Sequence, residues 1–261
     1  MTYEVKTPIT QAMNEGAITR KELKKLMVRS NKPAFFRLML WVCLLSTSSY
    51  FIWLSLGTWF LIPSMFFQGI ILVHHFSLQH ECCHYTAFKT RKLNDIFGHI
   101  CGFSIMLPNQ HFRYEHCDHH TYTQLKGKDP ELIELPMSLY KYLWYISAFP
   151  YWKNKFLEIY RHLKGELSAE EIKFIPKQEQ KTIFREARVM VLLYILILFT
   201  CTIYNFWAPL WYWWLPVMLG EPVMRAIRLT EHVGRPNTDD LKENTRSSLV
   251  SLPMQFLCHM F

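Results

Sequence analysis

Two long stretches without a charged residue constrain this chain more than any other feature of its sequence. Residues 38–79 form 42 consecutive positions without Asp, Glu, Lys or Arg, and residues 189–220 form 32 more. An α-helix needs roughly 20 residues to cross the hydrocarbon core of a bilayer. Each stretch therefore has room for two crossings. We place them near residues 36–56, 58–78, 189–206 and 209–227.

The charges around these predicted helices are unevenly distributed. The connectors inside the two pairs, residues 55–58 and 204–209, carry no charge, whereas residues 1–37 contain eight Lys or Arg and three acidic residues. Because loops rich in Lys and Arg stay in the cytoplasm, both termini and the long segment 79–188 are expected on that side. The sequence predicts an all-α, multi-pass integral membrane protein with four transmembrane helices in two hairpins and a cytosolic helical cap. It does not distinguish the endoplasmic reticulum from a bacterial inner membrane.

We interpret the whole chain as one domain made of five successive segments. They are a cytosolic N-terminal arm (1–34), the first transmembrane hairpin (35–78), the cap (79–187), the second hairpin (188–228) and a cytosolic tail (229–261). The net charge of +8 indicates contact with anionic lipids and not a nucleic-acid-binding protein. The seven cysteines show no disulfide or paired CxxC pattern and are expected to be reduced thiols.

Two histidine clusters lie in the predicted cap. His80 and His84 are spaced i, i+4, and His116, His119 and His120 are spaced i, i+3, i+4. On a helix, each spacing keeps the rings within an arc of about 100°. Imidazole is a ligand that suits iron and zinc. The five histidines therefore predict a metal site where the second crossing leaves the membrane. Nearby acidic residues are candidate partners for the ring N–H groups of such ligands, and we name Glu81 and Asp118.

Two other classes of metal site contain some of the same residues. His80-Glu81-x-x-His84 matches the HExxH pattern of zinc proteases, in which Glu81 would be the general base, but that reading leaves most of the second cluster unexplained. A ferritin-like di-iron site needs two Glu-x-x-His pairs, and only Glu81 with His84 fits. His74 and His75 are expected to hydrogen-bond within the helix bundle. His99, His111 and His162 lie outside both clusters and receive no role.

Several motifs together resemble one family. The segments His80–Ala87 (HECCHYTA), Phe112–Thr123 (FRYEHCDHHTYT) and Asp129–Leu132 (DPEL) resemble those of membrane fatty acid desaturases, over roughly residues 67–261. The resemblance implies two iron ions held by histidine boxes, with O2 as co-substrate. It implies the five clustered histidines as ligands. A match of the segment Arg228–Gly234 adds His232 as a further ligand.

The function that this resemblance implies is desaturation of a lipid acyl chain by an oxidoreductase. A di-iron hydroxylase or monooxygenase acting on a lipid or carotenoid has the same boxes, and an inactive desaturase-like membrane subunit is a third possibility. Because the sequence contains no haem-binding His-Pro-Gly-Gly motif and no iron–sulfur cysteine pattern, an external electron donor of the cytochrome-b or ferredoxin type is implied. The basic cytosolic face could dock an acidic donor.

One part of the family pattern is missing from the sequence. In similar proteins a third box, HxxHH, follows a segment like Leu252–Phe261. Here the sequence ends at Phe261, and His259 matches no box. We therefore expect a fragment, a frameshifted product or a subunit completed by another chain, which would be a poor catalyst by itself. The nucleotide sequence beyond codon 261 tests this expectation.

Overall fold

The computed structural model describes residues 12–133, 138–232, 234–238 and 240–245, with only the backbone described at 232, 241 and 242. All regular secondary structure in these ranges is helical. The helices are α1 (Arg20–Leu26), α2 (Lys32–Ser55), α3 (Leu61–Val73), α4 (His75–Cys83), α5 (Arg91–Ser104), α6 (Asn109–Tyr122), α7 (Leu139–Ile146), α8 (Phe149–Lys164), α9 (Glu171–Phe174), α10 (Gln180–Ile203), a π-helical segment (Leu210–Trp214), α11 (Leu215–His232) and α12 (Leu241–Asn244). The all-α prediction is confirmed for this part of the chain.

Three helical stretches in the described residues are long and apolar enough to cross a membrane. They are Lys32–Ser55, Leu61–Cys83 and Gln180–Ile203. The second of them is formed by α3 and α4, which join at His74. Half of its most apolar window is buried inside the protein, against 17% for each of the other two. The stretch α3–α4 is therefore the inner helix, whereas α2 and α10 present large apolar side chains outward, as helices in contact with lipid do.

The fourth predicted crossing, residues 209–227, corresponds to the π-helical segment and most of α11. This helix carries the charged residues Glu221 and Arg225 within the predicted crossing. Glu221 and Arg225 are buried and form an ion pair at 2.7 Å, one helical turn apart. Charged groups inside membrane proteins are usually paired in this way and face the protein interior. A crossing at this position stays a prediction.

Helices α3 and α11 touch through their backbones at two glycines. A Cβ atom added to Gly69 would lie 2.0 Å from the carbonyl oxygen of Pro216, and one added to Gly220 would lie 2.3 Å from the backbone of Gly69. Small residues permit this close approach between membrane helices. The contact fixes α11 beside the inner helix that leads into the first histidine cluster.

Polar side chains connect the apolar helices. Gln68 accepts a hydrogen bond from Ser48 at 2.7 Å and donates to the carbonyl oxygen of Tyr212, so it joins α2, α3 and the π-helical segment. Hydrogen bonds between helices are a common source of specificity where no water is present. His74 and His75 also bond inside the bundle, as expected: His74 to the carbonyl oxygen of Ile70 and His75 to the hydroxyl of Ser104.

The helices of the cap are positioned by α10, which extends beyond its apolar part. The carboxylate of Glu186 accepts hydrogen bonds from the backbone N–H groups of Asn109 and Gln110, at 2.8 and 2.9 Å. These groups begin α6, and a carboxylate is favourable there because a helix N-terminus carries partial positive charge. Helix α6 bears the second histidine cluster. The long helix α10 therefore fixes the start of the helix that bears this cluster.

Candidate metal centre

Helix α4 brings the first histidine cluster to the end of the inner helix. His80 lies in its last turn and His84 caps it, and their ring centroids are 4.9 Å apart. The helix ends here because Tyr85 has a positive φ of 57°, which a helix cannot continue. Its ring lies under the guanidinium groups of Arg91 and Arg113, at 4.3 and 4.4 Å. Cation–π contacts of this kind hold the strained residue in place.

Helix α6 brings the second cluster against the first. The ring centroids of His80 and His116 are 4.5 Å apart, and those of His84 and His120 are 4.7 Å apart. The four-histidine group, His80, His84, His116 and His120, has one ring nitrogen from each residue within 4.8 Å of the others. Two distant parts of the sequence thus supply four nitrogen ligands at one point. A transition-metal ion fits between them.

His119 belongs to the same helix but faces a different partner. Its Nδ1 atom lies 2.8 Å from Oδ1 of Asp129, and both residues are buried. The other carboxylate oxygen of Asp129 accepts from the backbone N–H of Gln124 at 2.8 Å. The His119 ring centroid lies 5.5 Å from that of His116. His119 is therefore adjacent to the four-histidine group, and its orientation is fixed by a carboxylate.

A second carboxylate orients His116. Oε1 of Glu131 lies 2.8 Å from Nδ1 of His116, and its Oε2 accepts from the guanidinium of Arg228 on α11. Burial by itself raises the pKa of Glu131, but Arg228 and His116 outweigh it and hold the pKa well below its usual range. Glu131 is therefore an ionised acceptor, and the Nδ1 proton of His116 points to it. That leaves Nε2 of His116 facing the other histidines, as metal-binding histidines require.

Three rings of the four-histidine group, those of His84, His116 and His120, have a lowered pKa. Burial and the neighbouring imidazoles lower the pKa of His116 to about 4 and that of His120 to about 3, and the same causes lower the pKa of His84. Metal ions bind neutral imidazole. The Nε2 atoms of His116 and His120 lie only 3.0 Å apart. Two ring nitrogens held this close, with the carboxylate of Glu131 behind His116, are suited to bind one cation between them.

Three further residues are predicted to belong to the site: Glu81, Asp118 and His232. Oε1 of Glu81 lies 3.6 Å from Nδ1 of His80, and its carboxylate also accepts from the Thr86 hydroxyl at 2.6 Å. Asp118 forms no hydrogen bond to a histidine within the described chain. His232 ends α11, and its side chain lies outside the described part, as do all of residues 246–261, including His259.

Sequence reasoning did not assign a role to Asp129 or Glu131, the two carboxylates that bond the second cluster. Both belong to the Asp129–Leu132 segment that contributes to the family resemblance, so a signal was present. The spacing of the residues along the sequence does not show that the loop with Asp129 and Glu131, 10 to 15 residues after the histidines, folds back against them. The tail also returns to this region, since Asn244 donates to the carbonyl oxygen of Thr123 at 3.0 Å.

A cavity of about 290 Å³ adjoins the four-histidine group. Phe76 and Phe112 line it, and their ring centroids lie 6.2 Å from that of His80 and 5.0 Å from that of His116. The lining contains both apolar and charged residues. The apolar residues include Val73, Phe76, Ile105, Leu107 and Phe112, and the charged residues are Glu115, Glu131, Glu158, Glu221, Lys155, Arg225 and Arg228.

Comparison with known proteins identifies the chain's family. The model of the fatty acid desaturase family matches residues 53–261. The sn-1 oleoyl-lipid 12-desaturase of Anabaena variabilis is 34% identical over 77 residues, which are 29% of this chain and 22% of that protein. The temperature-sensitive sn-2 acyl-lipid omega-3 desaturase (ferredoxin) of Arabidopsis thaliana is 33% identical over 88 residues, 33% of this chain and 20% of that protein.

A third relative, the sn-1 acyl-lipid omega-3 desaturase (ferredoxin) of Nostoc sp., is 31% identical over 109 residues, 41% of this chain and 29% of that protein. These matches span between a fifth and three tenths of the length of each relative. The family model covers most of the chain, and its match includes both histidine clusters and the cavity beside them. The chain belongs to the fatty acid desaturase family.

Proposed function

We propose that this protein is an acyl-lipid desaturase, an oxidoreductase that uses two iron ions and O2 to remove two hydrogens from adjacent carbons of a lipid acyl chain. O2 accepts these two hydrogens together with two electrons from an external donor and two protons from solvent, and is reduced to two molecules of water. The names of the relatives above, all of which are lipid desaturases, support the substrate class.

The observation that carries the proposal is the position of the cavity beside the four-histidine group. Phe76 and Phe112 line the cavity and pack against His80 and His116. Glu131 also lines the cavity, and it accepts the hydrogen bond from His116. An acyl chain in this cavity would lie against apolar side chains and close to the histidines. The charged part of the lining, in which Lys155, Arg225 and Arg228 are each paired with a glutamate, suits a polar lipid head group.

The four-histidine group would hold iron, with His119 and His232 as further ligands. Bound iron would supply the activation of O2 and the cleavage of C–H bonds. The contribution of this chain is to orient its imidazoles, to exclude water and to place the substrate carbon, which are general functions of a protein around a metal cofactor. Glu131 and Asp129 keep the Nδ1 protons of His116 and His119 directed away from the metal positions.

Topology and electron supply complete the proposal. We propose four crossings, with the π-helical segment and α11 as the fourth, and with both termini and the histidine clusters in the cytosol. Two relatives carry ferredoxin in their names, which favours a ferredoxin-type donor over a cytochrome-b-type one. Addition of each reduced donor to membranes that contain the protein, with O2 uptake as the readout, distinguishes them.

Expression of the protein from its gene, with any coding sequence beyond codon 261 included, in a host with a simple fatty-acid composition tests the function. Fatty acids extracted from its membranes are converted to methyl esters and analysed by gas chromatography with mass spectrometry. A new double bond that is absent from the His120→Ala variant is the expected result. A hydroxylated product with the same dependence on His120 would instead assign the protein to the hydroxylases. Unchanged fatty acids, from protein shown to contain two irons and supplied with donor, would refute the proposal.

A further inference from the structure

A second cluster of metal-binding side chains lies in the cap, apart from the four-histidine group. The cap cluster consists of His111 on α6, His162 on α8 and Glu171 on α9, and all three side chains are buried. His111 and His116 are five residues apart on the same helix. That separation turns their side chains roughly 140° from one another and moves them about 7.5 Å along the axis. The cap cluster is therefore a separate site on another face of α6.

The donor atoms of the cap cluster lie nearly as far apart as the ligand atoms around a bound zinc ion. Oε1 of Glu171 lies 2.8 Å from Nε2 of His162 and 3.3 Å from Nε2 of His111. Zinc binds nitrogen and oxygen at about 2.0–2.2 Å in a tetrahedral arrangement, which sets its ligand atoms roughly 3.3 Å apart. The distance from Glu171 to His111 has this value already. The distance from Glu171 to His162 needs to increase by about half an ångström.

The groups behind these ligands are arranged as they are around metal-binding histidines. Nδ1 of His111 faces the carboxylates of Glu158 and Glu115, at 3.6 and 3.9 Å. Metal-bound histidines usually donate a hydrogen bond from their other ring nitrogen to a carboxylate, which fixes the ring and raises its affinity for the ion. The two carboxylates lie close enough to Nδ1 of His111 to take this role after a small shift. Lys155 holds Glu158 in turn, with 2.8 and 2.9 Å hydrogen bonds.

The carboxylate of Glu171 is held so that one oxygen stays available. Its Oε2 accepts from the backbone N–H of Ser168 at 2.6 Å and from the guanidinium of Arg161 at 3.1 Å. Its Oε1 faces only the two imidazoles in the cluster. A carboxylate with one oxygen fixed by the protein and the other directed at two ring nitrogens is a preorganised monodentate ligand.

The imidazoles of the cap cluster are not satisfied by hydrogen bonds within the described chain. Both ring nitrogens of His111 and Nδ1 of His162 are buried without a hydrogen-bond partner there, although buried polar atoms usually have one. Three carboxylates, those of Glu115, Glu158 and Glu171, lie within 4 Å of the His111 ring nitrogens. The surrounding carboxylates therefore favour a positive charge at this position.

We propose that His111, His162 and Glu171 bind a divalent cation of the zinc type, which joins α8 and α9 to α6 in the cap. Two imidazoles and one carboxylate are a donor set that suits zinc. The three ligands come from three helices, so the bound ion fixes the cap beside the helix that bears the second histidine cluster. The site does not depend on the proposed desaturase function, because none of its ligands belongs to the four-histidine group.

The test uses the full chain with the second histidine box weakened, so that zinc at that box does not obscure the result. The His116→Ala/His120→Ala protein is purified in detergent after growth with zinc, and its metal content is measured by inductively coupled plasma mass spectrometry. We expect about one zinc per chain. Adding His162→Gln, which retains a hydrogen-bonding side chain, should remove it. Adding His99→Gln, at a half-exposed histidine outside both clusters, should leave zinc content unchanged.

A ligand exchange separates metal binding from a structural role of His162. Cysteine also binds zinc, so His162→Cys in the same background should retain the ion. After replacement of zinc by Co²⁺, it should add a thiolate-to-cobalt charge-transfer band in the near ultraviolet. Zinc content that is unaffected by His162→Gln, or the absence of zinc from the parent protein, would overturn the proposal. So would a His162→Cys protein that folds but contains neither the ion nor the new band.

Discussion

The Nδ1 atom of His116 donates a hydrogen bond to Oε1 of Glu131 across 2.8 Å, although the two residues lie 15 positions apart. Glu131 is also paired with Arg228 on α11, which packs along the inner helix. The orientation of one candidate iron ligand therefore depends on a loop of the cap and on a helix of the second hairpin. This relationship makes the metal centre sensitive to residues that would not themselves touch the metal.

Replacement of Glu131 by Gln should weaken metal binding without unfolding the protein. The amide lacks the charge that fixes the His116 tautomer, and it leaves Arg228 with only Glu231, at 4.0 Å, as an ionised partner. Loss of a carboxylate behind a metal-bound histidine typically costs 10–100-fold in metal affinity. Iron affinity, measured by competition with a chelator, should fall by about this factor. Glu166→Gln, at an exposed position of the cap, is the control. Equal affinities in the two variants would exclude a role for Glu131.

Replacement of His120 by Ala should remove activity and reduce iron content while membrane insertion is retained. The reason is that His120 belongs to the four-histidine group, whereas insertion depends on the length and apolarity of the helices. Iron is measured in purified protein, and insertion is measured by resistance to alkaline extraction of membranes. Wild-type activity in this variant would contradict the assignment of the second box.

Replacement of Gly220 by Ala should destabilise the helix bundle. The added Cβ would lie 2.3 Å from the backbone of Gly69, so α3 and α11 must separate. Overpacking of this kind typically costs about 1–3 kcal/mol, and more where the backbone has to move. The melting temperature in detergent should fall well below that of Met218→Ala, a control on the exposed side of the same helix. Equal melting temperatures would contradict the backbone contact.

Reporter fusions test the predicted topology. An even number of crossings places fusions at Met1 and after Lys242 on the same side of the membrane, and the basic N-terminal segment places that side in the cytosol. Both fusions should be active with a cytosolic reporter and inactive with an exported one. A C-terminal fusion that is active only with the exported reporter would mean that α11 does not cross the membrane.

Oxidative cross-linking tests the approach of α4 to α6 without reference to a metal. The sulfur atoms of Cys83 and Cys117 lie within 4.8 Å of each other, next to the two histidine clusters. Disulfides need the two side chains in close and suitable geometry. A mild oxidant should therefore yield a peptide that links Cys83 to Cys117, detectable by mass spectrometry. The exposed Cys43 should not be linked to either. Absence of the Cys83–Cys117 peptide would contradict the way the two clusters meet.

The sequence by itself determined the helical class, three helices long and apolar enough to cross a membrane, and the two histidine clusters. These features are local: the absence of charge over 42 residues and the i, i+4 spacing of His80 and His84 are visible along the chain. The match of residues 53–261 to the fatty acid desaturase family confirmed the resemblance that the boxes conveyed. The fourth crossing was less clear from hydropathy because paired charges, such as Glu221 with Arg225, lower the apolarity of α11.

Only the tertiary structure decided which distant residues meet. The bond between His116 and Glu131 and the meeting of His111 with His162 depend on how helices and loops turn back on one another. Such contacts leave no periodic signal, because they join segments whose separation is set by packing and not by helix geometry. His111 and His162 appeared unrelated in the sequence, yet both approach one carboxylate oxygen of Glu171. Burial removes water as an alternative partner for these polar groups, so the fold decides which neighbours they meet.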